Sequence, residues 1–174
     1  AASDVYKRQT MLRRCVEPYL RALSKEVIVS HDIMTFGLGA SPMEELLRER
    51  MTHMDNPSLA TYAKPSEVRL RATAKAPTAE AAEAMLHPVV DEVCALLGDV
   101  VYGVDVASLE SACSALLREK NMTLSSAESC TGGLVTAAIT SVAGASEVFD
   151  GGVCSYANTI KAGLLGVSKE TLRE

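Results

Sequence analysis

The stretch SAESCTGG, residues 126–133, joins a short predicted strand to a helical pattern over residues 132–142. A strand, a glycine-rich turn and a helix in this order are typical of an α/β layer, in which strands alternate with helices. The same order continues with a predicted strand over 148–156 and a predicted helix over 158–165. A predicted helix over 105–120 precedes them, with an apolar stripe formed by Leu109, Cys113, Leu116 and Leu117. The chain therefore predicts an α/β layer from about residue 105 onwards.

The region before this layer has a different pattern. In EVRLRATA, residues 67–74, apolar side chains alternate with charged or polar ones, which is typical of a strand with one buried face. Thr78 and Gly98 bracket a long helix as its N-cap and its C-terminal stop. Residues 25–104 thus predict a small α+β module. Its other predicted elements are strands over 26–36 and 100–102 and a helix over 42–54, with Ser41 and Glu44 as a capping box.

The composition limits the function classes. The 174 residues carry a formal net charge of -5, and 48% of them are apolar. An acidic chain argues against non-specific binding to nucleic acid or to anionic membranes, and no apolar run approaches the roughly 20 residues of a membrane-spanning helix. The five cysteines are odd in number and widely spaced, which favours reduced thiols over a disulfide framework or a zinc site. We expect a cytoplasmic protein that binds no nucleic acid and no membrane.

The two ends of the sequence lack the features of natural termini. Residues 1–9, AASDVYKRQ, have no apolar period and resemble translated sequencing-adapter sequence. Residues 11–23 have helical spacing, with Pro18 as a predicted break. The sequence stops soon after a predicted helix start at Ser168. We therefore expect the chain to be part of a longer protein.

Two hydroxyls and a thiol lie beside the glycine pair of SAESCTGG and are possible nucleophiles, and Ser129 and Cys130 are the two main candidates among them. The predicted helix begins at Thr131 or Gly132, and a helix N-terminus carries unpaired N–H groups and partial positive charge. Gly132 and Gly133 allow a substrate to approach this backbone, so an oxyanion formed in acyl transfer would be stabilised there. The alternative is that the stretch is only a well-capped turn between a strand and a helix.

A serine or cysteine nucleophile needs a base, and no histidine follows His87. This absence weakens Cys130, which we interpret as a small buried apolar residue. Ser–Lys pairs are known variants of the catalytic triad. Lys161 lies among apolar and small residues at the start of a predicted helix, whose partial positive charge disfavours a protonated amine. Tyr156, at the end of the preceding strand, could relay a proton. The alternative of a surface lysine and a core tyrosine stays open on these residues alone.

Four segments in the same order resemble the CinA (competence/damage-inducible protein) family: NPSLATYAKPSEVRLRATAKA, VVYGVD, AESCTGG and GGVCSYANTIKAGLLGVSKETL. The resemblance covers about residues 26–174. It implies a mixed α/β fold, with a small KH-like α+β module over 25–104 followed by the first part of an α/β layered deamidase domain over 105–174. It also implies that residues 1–24 combine an artefactual tail with the last helix of a missing molybdopterin-binding-like domain.

The resemblance implies a function as well. Members of the family hydrolyse the carboxamide of nicotinamide mononucleotide to nicotinate mononucleotide and ammonia, and are described as Ser/Lys amidohydrolases. Carried over by motif, Ser129 is the nucleophile, Lys161 the base and Tyr156 its partner, and no metal or cofactor is expected. The residues expected at the substrate or its oxyanion are Thr131, Gly132, Gly133 and Asn158, the last of which is equally expected as a helix N-cap. The full-length parent is expected to be a homodimer.

The sequence departs from the family pattern at neighbours of these residues. Ala157 replaces a usual Ser or Cys, Thr159 and Ile160 replace a common Glu-Ala pair, and Ala40 stands where Glu is typical. The family continues beyond residue 174 with further motifs of the substrate pocket, so we expect the chain as given to be poorly active.

Two other functions remain open. A KH-like module could bind RNA, but residues 37–41, GLGAS, lack the GxxG loop and the chain is acidic, both of which argue against it. The chain could instead be a non-catalytic interaction or oligomerisation segment of a CinA protein. In that case the activity, ADP-ribose pyrophosphatase, would lie in the missing N-terminal domain.

Overall fold

The computed structural model describes residues 2–173, with side chains from Lys7 to Arg173. The chain divides into two compact units, Ala1–Asp105 and Val106–Glu174, which we call the first and the second unit. The fold is mixed α/β, as predicted, with an antiparallel sheet in the first unit and a parallel pair of strands in the second. Within the described residues, no helix is both long and apolar enough to cross a lipid bilayer.

The first unit begins with a helical segment. Helix α1 spans Ala2–Met11, a π-helical segment spans Leu12–Val16, and helix α2 spans Glu17–Leu23. The N–H of Glu17 donates to the carbonyl of Leu12 across this wider turn. Proline has no N–H and its ring crowds the preceding turn, so the break predicted at Pro18 takes the form of a π-helical turn. All described side chains of the segment are exposed.

A four-stranded antiparallel sheet forms the body of the first unit. Its strands are β1 (Val27–Phe36), β2 (Ser58–Lys64), β3 (Glu67–Ala76) and β4 (Val101–Val104), in the order β2-β3-β1-β4. β3 alternates as predicted, because every second residue from Val68 to Ala76 is buried. β2 is not among the predicted elements, since its small and polar residues give a weak strand signal. It forms because a tight turn at Ser66, with a φ of 62°, pairs it with β3.

Two helices, α3 (Ala40–His53) and α4 (Ala79–Leu97), pack on this sheet. The predicted caps of α4 are confirmed. The Thr78 hydroxyl accepts from the N–H of Ala81, and Gly98 ends the helix with a φ of 56°. The largest buried side chains of the core come from both helices and from β1, β2 and β3: Ile33, Met43, Leu47, Leu59, Val68, Leu70, Leu86, Val93 and Leu97.

The predicted capping box of α3 is wrong. The helix begins at Ala40 with Gly39 as its N-cap and without a side-chain cap, so Ser41 lies inside the first turn. The Glu44 carboxylate instead accepts from the hydroxyl of Thr61 on β2, at 3.1 Å. A contact with the neighbouring strand has thus replaced the local contact that the capping pattern indicates.

The second unit alternates helices and strands. Its elements are α5 (Leu109–Glu119), β5 (Leu124–Glu128), α6 (Leu134–Thr140), β6 (Phe149–Cys154) and α7 (Asn158–Leu165), with a 3-10 turn at Ala145–Glu147. β5 and β6 are parallel, so α6 is the crossover helix of a βαβ unit. The predicted alternation of helix and strand is therefore confirmed.

Helix α5 differs from its prediction in length and in its buried face. It begins later, because Ser108 caps it by accepting from the N–H of Ser111. The predicted apolar stripe is wrong in part, since Cys113 is exposed and Leu116 is 50% exposed, whereas Ser114 is fully buried. A small side chain, and not a leucine, is the most buried residue of this helix.

Two adjacent leucines of α3 test the core of the first unit. Leu47 is fully buried and Leu46 is 51% exposed. We expect Leu47→Ala to lower the free energy of unfolding by about 2–5 kcal/mol, because it removes buried methyl groups and leaves a cavity. Leu46→Ala, the matched control, should change it by less than about 0.5 kcal/mol. Urea denaturation followed by circular dichroism measures both, and equal losses in the two variants would contradict this packing.

Candidate active site

The carboxyl ends of β5 and β6 lie side by side. Glu128 is paired with Cys154, and the N–H and the hydroxyl of Ser155 both donate to the carbonyl oxygen of Glu128, at 2.7 and 3.2 Å. Ser129 and Tyr156 are the next residues of the two segments, and neighbouring strands lie about 4.8 Å apart. The structure thus brings the backbones of these two predicted site residues to one edge. It is the carboxyl edge, at which parallel α/β sheets bind ligands.

A glycine turn, residues 129–133, leads from β5 to α6. The N–H of Gly132 donates to the carbonyl of Ser129 at 3.0 Å. Gly132 and Gly133 have φ values of 62° and 98°, a conformation that costs a residue with a Cβ roughly 1–2 kcal/mol. The helix begins at Leu134 with Gly133 as its N-cap. The prediction that it begins at Thr131 or Gly132 is therefore wrong.

A carboxylate occupies the start of α6. Glu128 is 6% exposed, and its oxygens accept from the N–H groups of Val135 and Thr136 and from the Thr136 hydroxyl, at 2.9, 2.8 and 2.7 Å. Burial alone would raise the pKa of Glu128, but these hydrogen bonds outweigh burial and lower the pKa from 4.5 to about 2. The positive end of α6, which the sequence analysis assigned to an oxyanion, is thus already neutralised by the chain itself. An acidic residue shortly before a predicted helix is the sequence signal for such a contact.

Helix α6 and strand β6 lie close together at Gly152. The hydroxyls of Ser126 on β5 and Thr136 on α6 share a hydrogen bond of 2.8 Å. A Cβ at Gly152 would lie 2.6 and 2.2 Å from the same two oxygens. A side chain at this position would displace that hydrogen bond. Gly152 therefore sets how closely the two strands and their crossover helix can pack.

Lys161 lies in the first turn of α7, which begins at Asn158 with Ala157 as its N-cap. The prediction of Asn158 as N-cap is wrong, since no side chain caps this helix. The N–H of Lys161 donates to the carbonyl of Ala157 at 3.1 Å, and Lys161 is partly buried. Tyr156 is 72% exposed, which overturns the alternative of a core tyrosine.

Within residues 7–173, no hydrogen bond joins the Ser129 hydroxyl, the Tyr156 hydroxyl and the Lys161 amine to one another. The interpretation of Cys130 as a buried residue is wrong, because it is exposed. All five cysteines are free. Cys130 and Tyr156 are therefore both exposed close to the carboxyl ends of β5 and β6.

A group of metal-ligand side chains lies in the first unit, where the sequence analysis finds none. His31 on β1 and Glu83 and His87 on α4 place one ligand atom each within 4.8 Å of the others. No sequence motif reveals this group, because β1 and α4 are separated by two strands and a helix. Only the packing of α4 on β1 brings the three side chains together.

Two family models match the chain, one for each unit. The model of the Damage-inducible protein CinA KH domain matches residues 30–103, and the model of the CinA C-terminal domain matches residues 106–174. A CinA-like protein of Kosmotoga olearia is 44% identical over 164 residues, which are 94% of this chain and 40% of that protein. A CinA-like protein of Desulfovibrio desulfuricans is 47% identical over 162 residues, 93% of this chain and 38% of that protein. The chain thus spans about 40% of the length of these curated relatives.

The crystal structure of competence/damage inducible protein CihA from Agrobacterium tumefaciens is similar to part of the chain. It is 42% identical, has a TM-score of 0.37, and is matched over 37% of this chain and 39% of that one. The assignment of the chain to a family therefore rests on the sequence matches, which extend over both units.

The Glu128 contact predicts a pH dependence of stability. Folding lowers the pKa of Glu128. Its carboxylate therefore contributes its whole stabilising effect on the fold above the ordinary pKa of 4.5, and this contribution is lost as the pH falls toward about 2. Glu128→Gln keeps the shape of the side chain but replaces one carboxylate oxygen by an amide group. It should destabilise the second unit at neutral pH. The stability of this variant should also fall less steeply than that of the wild type as the pH is lowered. Glu119→Gln, at an exposed position at the end of α5, is the matched control. Thermal unfolding at a series of pH values measures both, and a wild-type profile for Glu128→Gln would refute the assignment.

Proposed function

The chain belongs to the CinA family, and we propose that its second unit is part of an amidohydrolase that converts nicotinamide mononucleotide to nicotinate mononucleotide and ammonia. One observation carries the proposal. Ser129 and Tyr156 directly follow the hydrogen-bonded ends of two parallel strands, and Lys161 lies in the first turn of the next helix. The nucleophile, base and partner that the family resemblance implies therefore come from one edge of one compact segment.

The proposed reaction has two stages. Ser129 Oγ attacks the amide carbon while its proton passes to the neutral amine of Lys161. The C–N bond of the tetrahedral intermediate then breaks, and the leaving nitrogen departs as ammonia after taking a proton from Lys161, or from Tyr156 as Lys161 reprotonates it. Water then attacks the remaining acyl-enzyme and gives a proton to neutral Lys161, which passes it to Ser129 Oγ as the acyl bond breaks and nicotinate mononucleotide leaves. Each stage moves one proton between groups at the carboxyl edge of the strands.

Glu128 is unsuited to act as the base, although it adjoins the nucleophile. Its carboxylate is buried against the start of α6, and a pKa of about 2 makes it a weak proton acceptor at neutral pH. Moving it toward the substrate would also expose two backbone N–H groups of α6. The base that we propose therefore follows the other strand, β6. Lys161 is the first lysine after the end of that strand.

The oxyanion donors that we propose are the backbone N–H groups of Thr131 and Gly133. Gly132, an equal candidate from the sequence, uses its N–H for the turn with Ser129. Within residues 7–173, no backbone hydrogen bond occupies the N–H of Thr131 or Gly133. Gly133 has no Cβ to shield its N–H from a bound substrate. Asn158, exposed at the start of α7 and without a capping role, is proposed to contact the substrate.

The open arrangement of the three side chains is compatible with this chemistry. Tyr156 is 72% exposed, and the four-carbon stem of Lys161 is flexible. Catalytic hydrogen bonds are often long in an enzyme without substrate and shorten in the Michaelis complex. We propose that the bound substrate excludes water from the edge and brings the Lys161 amine to the Ser129 hydroxyl.

A second candidate function is that of a non-catalytic interaction segment. The second unit exposes large apolar side chains, with Leu134 69% and Leu164 64% exposed. If these side chains form one contiguous patch, that patch would be typical of a surface that contacts another chain or domain. The homodimer implied by the family resemblance is one assembly that would cover them. An interaction segment would leave the activity of the parent protein intact when Ser129 is replaced.

Ammonia release from nicotinamide mononucleotide tests the proposal, in a protein that contains this chain within the longer CinA reading frame. We expect Ser129→Ala and Lys161→Ala each to lower kcat by about 10²–10⁴-fold, because each removes a group that acts in the transition state. Tyr156→Phe should cause a smaller loss, since Lys161 can still supply the proton. Circular dichroism of each variant confirms that the fold is retained.

Two neighbouring positions supply the controls. Cys130→Ala removes the exposed thiol next to the nucleophile, and Lys169→Ala removes an exposed lysine downstream of α7. Both variants should keep the wild-type kcat. Unchanged ammonia release in both Ser129→Ala and Lys161→Ala would sink the mechanism and favour the interaction segment. A loss of activity in Cys130→Ala alone would instead assign the nucleophile to the thiol.

A further inference from the structure

The first unit carries a side-chain group for which the proposed hydrolase has no use. His31 Nε2 lies 2.7 Å from Glu83 Oε2, and His87 Nε2 lies 3.5 Å from the same oxygen. One ligand atom of each residue falls within 4.8 Å of the others. We propose that His31, Glu83 and His87 bind a divalent transition metal ion of the Zn²⁺ class.

Two packed elements hold the ligands. Glu83 and His87 are one helical turn apart on α4, so their side chains lie on the same face of the helix. His31 lies on β1, two positions before the fully buried Ile33, and thus on the face of the strand that points to the core. Leu86, between the two helical ligands, is also fully buried. The ligands therefore project from rigid elements, which keep a metal site in shape better than loops do.

A carboxylate fixes the orientation of the His31 ring. Asp105 Oδ2 lies 2.5 Å from His31 Nδ1. The other Asp105 oxygen accepts from the N–H of Asp32 at 2.7 Å, and the Asp105 N–H donates to the carbonyl of Asp32 at 2.8 Å. A carboxylate at Nδ1 keeps the proton on that nitrogen and leaves the Nε2 lone pair available to a metal. Metal-bound histidines commonly carry such a partner, so Asp105 is a positioning residue of the site.

The donor set and its spacing suit this class of ion. Two imidazoles and one carboxylate are typical ligands of Zn²⁺. With bonds of about 2.0–2.2 Å, tetrahedral ligand atoms lie about 3.3–3.6 Å apart. The contact between His87 and Glu83 already has this spacing, and the His87 side chain is 70% exposed and free to turn toward an ion. The shorter contact between His31 and Glu83 needs only a small opening.

A pocket beside the group gives an ion access and leaves room for a fourth ligand. It has a volume of about 300 Å³ and is lined by His31, His87, Val90, Asp91, Val104 and Asp105. Asp91 lies one further turn along α4 from His87 and faces the same pocket. A water molecule that donates to Asp91 would complete a tetrahedral site.

A proton alone accounts for only part of this arrangement. A protonated His31 can donate to Glu83 and to Asp105 at once, which explains two of the contacts. It does not explain why a second imidazole, that of His87, lies beside the same Glu83 oxygen with the two ring centroids 6.2 Å apart. A divalent ion would bind all three donors. Its two positive charges would also offset the negative charges of the nearby Glu83 and Asp105 carboxylates.

The test uses the whole chain, stripped with a chelator and treated with iodoacetamide so that its free thiols cannot bind metal. Isothermal titration with Zn²⁺ should give one ion per chain, and Zn²⁺ should raise the melting temperature. His87→Gln and Glu83→Gln should weaken binding by at least about 10-fold, because loss of even a second-shell partner costs about 10–100-fold. Asp105→Asn should keep the stoichiometry and weaken binding by about 10–100-fold.

His53→Gln is the matched control, since His53 is exposed on α3 and outside the group. It should bind Zn²⁺ like the wild type. His87 is itself largely exposed, so His87→Gln is expected to fold, and its melting temperature without metal checks this. Equal Zn²⁺ affinity in wild type, His87→Gln and Glu83→Gln would overturn the proposal, as would an absence of Zn²⁺ binding by the wild type. The proposal does not rest on the hydrolase activity, because Ser129→Ala should bind Zn²⁺ normally.

Discussion

The hydrogen bonds of Glu128 are the contacts on which the geometry of the second unit depends. Its carbonyl accepts from Ser155 and so fixes the end of β6 beside the end of β5. Its carboxylate accepts from Val135 and Thr136 and so fixes the start of the crossover helix. A buried carboxylate without such donors would be costly. The strand, the turn and the helix therefore have to form together, and they place Ser129 at the edge where β5 ends.

Much of the fold follows from local patterns. The alternation of β3 and the caps of α4 at Thr78 and Gly98 depend on residues close in sequence, and the structure confirms them. The predictions are wrong where a contact with a residue distant in sequence determines the local structure. β2 forms because it pairs with β3, and Glu44 leaves its expected cap for a hydroxyl on the neighbouring strand. A pattern within a few residues of sequence carries no information about such partners.

The candidate sites, too, have some features that the sequence predicts and others that depend on the three-dimensional structure. That residues 129 and 156 meet at one edge follows from two successive strands joined by a helix, because such strands are parallel. The start of α6 is mispredicted because the glycine turn takes two left-handed residues before the helix. The group of His31, Glu83 and His87 depends on the packing of α4 on β1. His31 is distant in sequence from Glu83 and His87, so neither spacing nor composition indicates the group.

The two units use acidic side chains at strand ends in the same physical role. Asp105, directly after β4, binds the backbone of Asp32 and the ring of His31. Glu128, the last residue of β5, binds the backbone of α6 and of Ser155. Carboxylates engaged in this way orient their neighbours through directed hydrogen bonds. In the two proposed sites these carboxylates would therefore act by positioning their neighbours, the ring of His31 in the first unit and the backbone next to Ser129 in the second.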